Sequence, residues 1–141
     1  MRQQGTTIKI KTCKQGLYEI TDTIQGWLAE TGINQGLLTV FCRHTSASLT
    51  IQENADPDVV ADLNDFFCTL VPEDPRRFRH RNEGADDMPA HIKSALTDVS
   101  LSIPVQDGRA ALGTWQGVYL FEHRTRDHHR EVVVHAMGEP V

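Results

Sequence analysis

The sequence predicts an α+β domain, mainly antiparallel β-sheet in a sandwich with two or three helices. Three observations predict it. Apolar residues alternate with polar ones in several short runs, the period of half-buried strands. Between those runs lie stretches with apolar residues at helical spacing. The order is strands, helix, strands, helices, strands, with a strong hairpin signal at Asp107 and Gly108, which fits an antiparallel rather than a parallel sheet.

Residues 7–11, TIKIK, form the first strand by strict alternation. Gly16 breaks it and residues 17–20 return. Asp22 reads as a helix cap with Gln25 three residues on, followed by Ile24, Trp27, Leu28 and Thr31 at helical spacing, and Gly32 ends the helix. Residues 36–43 form the next strand, with Leu38, Val40, Cys42 and His44 on one face. Residues 48–52 read as its hairpin partner. Asp56 and Pro57 start a second helix, a capping carboxylate followed by proline at the first helical position. Its apolar stripe is Val59, Val60, Leu63, Phe66, Phe67 and Leu70, and Pro72 stops it.

Residues 73–87, EDPRRFRHRNEGADD, carry mixed charge without periodicity, so they form an exposed loop. Its length exceeds what a connector needs, a mark of functional or disordered loops. A short helix over 88–96 follows. Val99, Leu101, Ile103 and Val105 alternate as a strand, and residues 118–123 and 131–137 give two more, joined by RTRDHH. Gly113 and Gly117 flank Thr114, Trp115 and Gln116 inside this β region, which implies a bulge or a close backbone approach.

The 141 residues fit a single domain, 1–141, long enough to bury a core. A net charge of -5 argues against a nucleic-acid surface built on bulk charge. No run approaches membrane-spanning length. Three cysteines without metal-site spacing, and no secretory leader pattern, point to free thiols in a cytoplasmic protein.

Several residues can carry chemistry. His44 is either a satisfied core histidine or a metal ligand or proton shuttle at a strand end. Glu53 shares parity with Leu49 and Ile51, so an inward carboxylate there needs a cation or a proton. Asn54 has a turn role and Asp56 a capping role beside it. His80 and His91, with Glu83, Asp86 and Asp87 between them, either converge on a metal or belong to a solvated acidic loop and a surface helix. Glu122 shares parity with Val118 and Leu120, a second candidate for an inward carboxylate. Arg124, Arg126 and Arg130 surround His128 and His129 in what reads as a hairpin loop. They can grip phosphate, but a solvated turn is the simpler reading. No nucleotide-binding glycine loop, CxxC or GxSxG element is present.

The strings HTSASLTIQENADP, EGADDMPAHIKSAL, SIPVQDGR and LGTWQGVYLFEHR, in this order and spacing, resemble the YjbQ-like family. Its members are often described as secondary thiamine-phosphate synthases. The resemblance covers residues 36 to 138 and implies a small α+β homotrimer with a polar, metal-binding site near a subunit boundary. The implied activity is a weak transferase reaction of thiamine biosynthesis. It joins hydroxymethylpyrimidine pyrophosphate to thiazole phosphate and releases pyrophosphate.

On that resemblance His44, His80 and His91 are the expected ligands of a divalent metal, zinc or magnesium. Glu53, Glu122 and His44 are the expected catalytic groups. Ser46, Asn54, Thr114, Gln116 and Arg130 are expected to bind substrate or phosphate. The expected partners are two further copies of the chain and a small phosphorylated metabolite, with no nucleic acid or membrane. Two rivals stand beside this reading: a non-catalytic trimer that binds a metal or phosphometabolite, and a metal-dependent hydrolase. His128 and His129 stand where many relatives carry another arginine, which weakens an arginine-based phosphate clamp.

Overall fold

Strand β1 (Arg2–Thr12) extends the expected alternation at both ends, in a computed structural model that describes residues 1–141. Ile8 and Thr12 turn inward and Lys9 and Lys11 outward. The chain then forms β2 (Gly16–Glu19), α1 (Thr21–Thr31), β3 (Ile33–Cys42), β4 (Ala47–Glu53) and α2 (Pro57–Leu70). After a 3-10 turn at Pro75–Arg77 come α3 (Asp87–Leu96), β5 (Ser100–Gln106), β6 (Arg109–Ala110), β7 (Gln116–Glu122) and β8 (His128–Pro140). No helix is long and apolar enough to cross a membrane.

Two antiparallel sheets face each other, with orders β1-β8-β3-β5-β6 and β2-β7-β4. The expected α+β class holds. Their inner faces and α1 enclose a core that includes Ile24, Leu28, Leu38, Val40, Leu49, Val118, Leu120, Val132 and Val134. The β5–β6 hairpin turns at Asp107 (φ 52°) and Gly108 (φ 77°), the two positive dihedrals of a type I′ turn. Gly36 and Gly138 oppose each other in the β3–β8 pair, and a side chain on either would overlap the other strand's backbone.

Four local expectations change. Residues 48–52 do not pair with β3. The chain crosses at 43–46 to the other sheet, where β4 pairs with β7 from Ala47↔Glu122 to Glu53↔Gln116. Residues 123–127 likewise are a crossover between sheets rather than a hairpin tip, because β7 and β8 lie in different sheets. Asp22 is not the cap of α1. Ile20 occupies that position without a side-chain bond, and Asp22 lies in the first turn.

The fourth change concerns α2. Its cap is as expected, with the Asp58 backbone N–H donating to Asp56 Oδ1 at 2.9 Å. Its apolar stripe, however, is nowhere fully buried. Phe67 packs edge-on against Phe121, ring centroids 5.5 Å apart, while Phe66 and Leu70 are exposed. The helix covers the small sheet from outside instead of entering the core.

Both crossovers, 43–46 and 123–127, lie at the same end of the sandwich, since Ala47 pairs with Glu122. α3 is anchored there by the Ser94 hydroxyl, which donates to the Ala47 carbonyl at 3.2 Å.

Candidate metal centre

Asp87 opens α3 and His91 lies one turn later, so their side chains share a face. The loop before α3 brings His80 to the same place. Asp87 Oδ2 lies 2.6 Å from His80 Nε2 and 3.1 Å from His91 Nε2. The three donor atoms fall within 4.8 Å of one another.

The ring of His91 is fixed from behind. Its Nδ1 stands 2.9 Å from the Thr45 carbonyl oxygen, which can only accept, so Nδ1 carries a hydrogen. In a neutral ring the Nε2 lone pair then points at a carboxylate oxygen. Two lone pairs facing each other at 3.1 Å call for a second ring proton or a cation between them. Two imidazoles and one carboxylate suit zinc and other late transition ions better than magnesium, which favours oxygen ligands. Three protein donors also leave coordination positions open, as in catalytic rather than structural sites.

Asp87 is 1% exposed. Its other oxygen, Oδ1, accepts from Arg124 Nη1 at 2.6 Å, while Arg124 Nε donates to Asp86 Oδ2 at 2.8 Å. The Thr125 backbone N–H also donates to Asp86 Oδ2. Burial alone would raise both carboxyl pKa values. For Asp87 the hydrogen bond from His80 and the charge of Arg124 outweigh it, and for Asp86 the bonds from Arg124 and Thr125 do, so both are held below the usual range. Arg124 is therefore a partly buried clamp behind Asp86 and Asp87, not the solvated turn residue the sequence implied.

His44 does not join these three. Its Nε2 accepts the Glu131 backbone N–H at 2.8 Å, leaving Nδ1 as the protonated nitrogen of a neutral ring. Burial, then the charge of Arg130, lowers its pKa and keeps it neutral. His44 and His91 instead line one cavity of about 210 Å³ with Thr45, Ser94, Ala95 and Val99. An adjoining depression adds Phe41, Cys42 and Arg43.

Glu122 does point inward and is fully buried. Both its oxygens are taken: Arg130 grips them through Nε and Nη2, Thr12 Oγ1 donates to Oε1, and the Arg124 backbone N–H donates to Oε2. Burial raises its pKa, but Arg130 and Thr12 outweigh that and hold the carboxyl low. Arg130 is 4% exposed and its remaining contacts are to Ser46, through Oγ at 3.0 Å and the carbonyl. Expected as general base and phosphate ligands, Glu122, Arg130 and Ser46 form a closed structural network instead.

Glu53, Asn54, Thr114 and Gln116 lie at the far end of β4 and β7, six residues from Ala47 and so about 20 Å away. Glu53 Oε2 accepts the Asp56 backbone N–H, and Asn54 Nδ2 donates to Glu19. Gln116 Oε1 accepts the Gly113 N–H, and Thr114 is exposed beside it. The expected close approach does occur at Gly117, where a Cβ would strike the Glu19 carboxylate. Asp87 and Arg124 were missed among the site residues. The spacing Asp87-x-x-x-His91 marks Asp87, whereas nothing local marks Arg124.

The profile of the family described as UPF0047 protein YjbQ-like matches residues 6–139. The UPF0047 protein sll1880 of Synechocystis is 58% identical over 98% of this chain and 94% of its own length. The UPF0047 protein YjbQ of Escherichia coli O157:H7 is 44% identical over 94% of this chain and 96% of its own. Among solved structures, an uncharacterized conserved protein of the yjbq/upf0047 family from Clostridium acetobutylicum aligns with a TM-score of 0.85 at 34% identity, covering 94% of this chain and 99% of that one. The names of these relatives state no activity. The expected place in thiamine biosynthesis, as a pyrimidinyl transferase, is therefore withdrawn: the family is the uncharacterized UPF0047 family, and none of these names points to that pathway.

Proposed function

We propose, from the premise that the chain belongs to the UPF0047 YjbQ-like family, that it is a divalent-metal-dependent hydrolase centred on His80, Asp87 and His91. The observation that carries this reading is the convergence of three donor atoms, with Asp87 backed by Arg124, beside a cavity. A bound ion would supply Lewis acidity toward water and toward a substrate carbonyl or phosphoryl oxygen.

The protein's own groups divide the rest of the work. Arg124 orients Asp87, and the Thr45 carbonyl fixes the tautomer and angle of His91. A small substrate enters the cavity between His44 and His91, with its apolar part toward Ala95 and Val99. His44, neutral and with its proton on Nδ1, donates to the oxygen on which negative charge develops. Glu83, whose carboxylate lies 3.8 Å from His80 Nε2, accepts the proton of the attacking water.

The test begins with metal-stripped protein titrated with zinc and with manganese by calorimetry. One ion per chain is expected, and His91→Ala should weaken binding by at least about tenfold. Hydrolysis of a panel of small esters and phosphoesters should appear with the ion and vanish with a chelator. Unchanged affinity in His91→Ala, or full turnover in metal-free protein, would overturn the reading.

Self-association belongs to the same proposal. The outer face of the five-stranded sheet exposes Leu37, Phe41 and Met137 by 42%, 45% and 42%. A row of half-exposed large apolar side chains on neighbouring strands favours a protein partner. We assign that partner as further copies of this chain, in the homotrimer the family resemblance implies.

A further inference from the structure

Lys93 is 2% exposed and belongs to none of the protein's ion pairs. It lies two residues beyond His91, about 200° round α3, and so points away from the candidate metal centre. Its ammonium has three hydrogens to place, yet its one hydrogen-bond partner is Cys68 Sγ of α2, at 3.8 Å.

The sulfur is oriented. Cys68 Sγ–H donates to Gln15 Oε1 at 3.5 Å, and Gln15 is held in turn by its Nε2 donating to the His123 carbonyl at 3.0 Å. With the thiol hydrogen turned to Gln15, the sulfur lone pairs are left for Lys93. Beneath them the wall is polar but closed: His123 Nε2 pairs with Ser48 Oγ, and His123 Nδ1 has no partner. No carboxylate competes for the amine. Cys68 itself is half-buried, on a helix without a fully buried residue, so a small oxidant reaches it from outside.

We propose that Cys68 and Lys93 are a modification site, joined by a reversible sulfur–nitrogen bond when a hydroperoxide oxidises the thiol. In the first step the sulfur attacks the terminal peroxide oxygen. The O–O bond breaks, sulfur is oxidised to a sulfenic acid, and the peroxide is reduced to water, or to an alcohol when it is organic. In the second step Lys93, its ammonium proton released to water, attacks the sulfenic sulfur. The S–N bond forms, the S–O bond breaks, and the hydroxyl leaves as water with a hydrogen from the amine. The product is a sulfenamide, which thiols reduce back to cysteine and lysine. The bond ties α2 to α3, the helix whose other face carries Asp87 and His91.

The experiment is peptide mass spectrometry of the full chain after exposure to hydrogen peroxide, digested without reductant. The expected result is one joined species holding the Cys68 and Lys93 peptides, at their summed mass less two hydrogens. It should account for most of Cys68, be absent from Cys68→Ser and Lys93→Arg, and disappear with dithiothreitol. Should Lys93→Arg fail to fold, the wild-type masses and Cys68→Ser decide alone. Recovery of Cys68 as a dione-trapped sulfenic acid, a sulfinic acid or a disulfide with Cys13, with Lys93 unmodified, would overturn the proposal. None of these readouts depends on metal binding or turnover.

Discussion

Asp86 and Asp87 are 6% and 1% exposed, and Arg124 faces both. Arg124→Leu would leave two adjacent buried carboxylates without their cation. The expected loss is about 3–5 kcal/mol, read from urea unfolding, with metal affinity reduced about 10–100-fold. Arg124→Lys should restore only part of each, because a point charge cannot bond both carboxylates through a planar fork. His123 makes a separate prediction. Burial, then the charge of Lys93, lowers its pKa from 6.5 to about 3. Between these values the unfolded chain binds a proton that the folded chain refuses, so stability rises with pH across the window. It is lost as pH falls from 6.5 toward 3, with a slope near ~1.4 kcal/mol per pH unit. Unfolding free energies measured across that range should lose this slope in His123→Gln.

At the level of elements, the β3–β8 pair depends on a missing side chain. Gly36→Ala places a methyl group into the Met137 and Gly138 backbone, so the strands must part. The thermal midpoint should fall further than for Asp56→Ala, which removes one capping bond worth about 1 kcal/mol. Most elements were legible in the sequence because their signals are local: alternation for β1, proline after aspartate for α2, Asp107 and Gly108 for the β5–β6 turn. Pairing was not legible where it is remote. The run 48–52 has strand periodicity whichever sheet accepts it, and only the crossover at 43–46 decides. The same limit applied to the site. His80 and His91 stood out as chemically able residues, but Glu122 and Arg130 looked equally able until the structure showed each occupying the other. Arg124 reaches Asp87 across 37 residues of chain, a pairing no spacing rule encodes.

For the molecule as a whole, the exposed sheet face is the feature that light scattering can test. A mass of three chains is expected in solution. Phe41→Asp, near the end of β3 on that face, should shift it toward a single chain without loss of far-ultraviolet circular dichroism. A monomeric wild-type protein would remove the self-association proposal while leaving the metal proposal standing.

β8 is the last strand of the chain, yet it is inserted between β1, the first, and β3. Eleven residue pairs join β1 to β8, from Arg2↔Gly138 to Thr12↔His128. During synthesis, therefore, β1 cannot reach its one neighbour, and β3 keeps one edge open, until residues 128–140 have left the ribosome. The large sheet closes only once β8 is available, like a zip whose slider is the last part attached. A stall before residue 128 would release a chain with two unpaired strand edges, ready to pair with those of another.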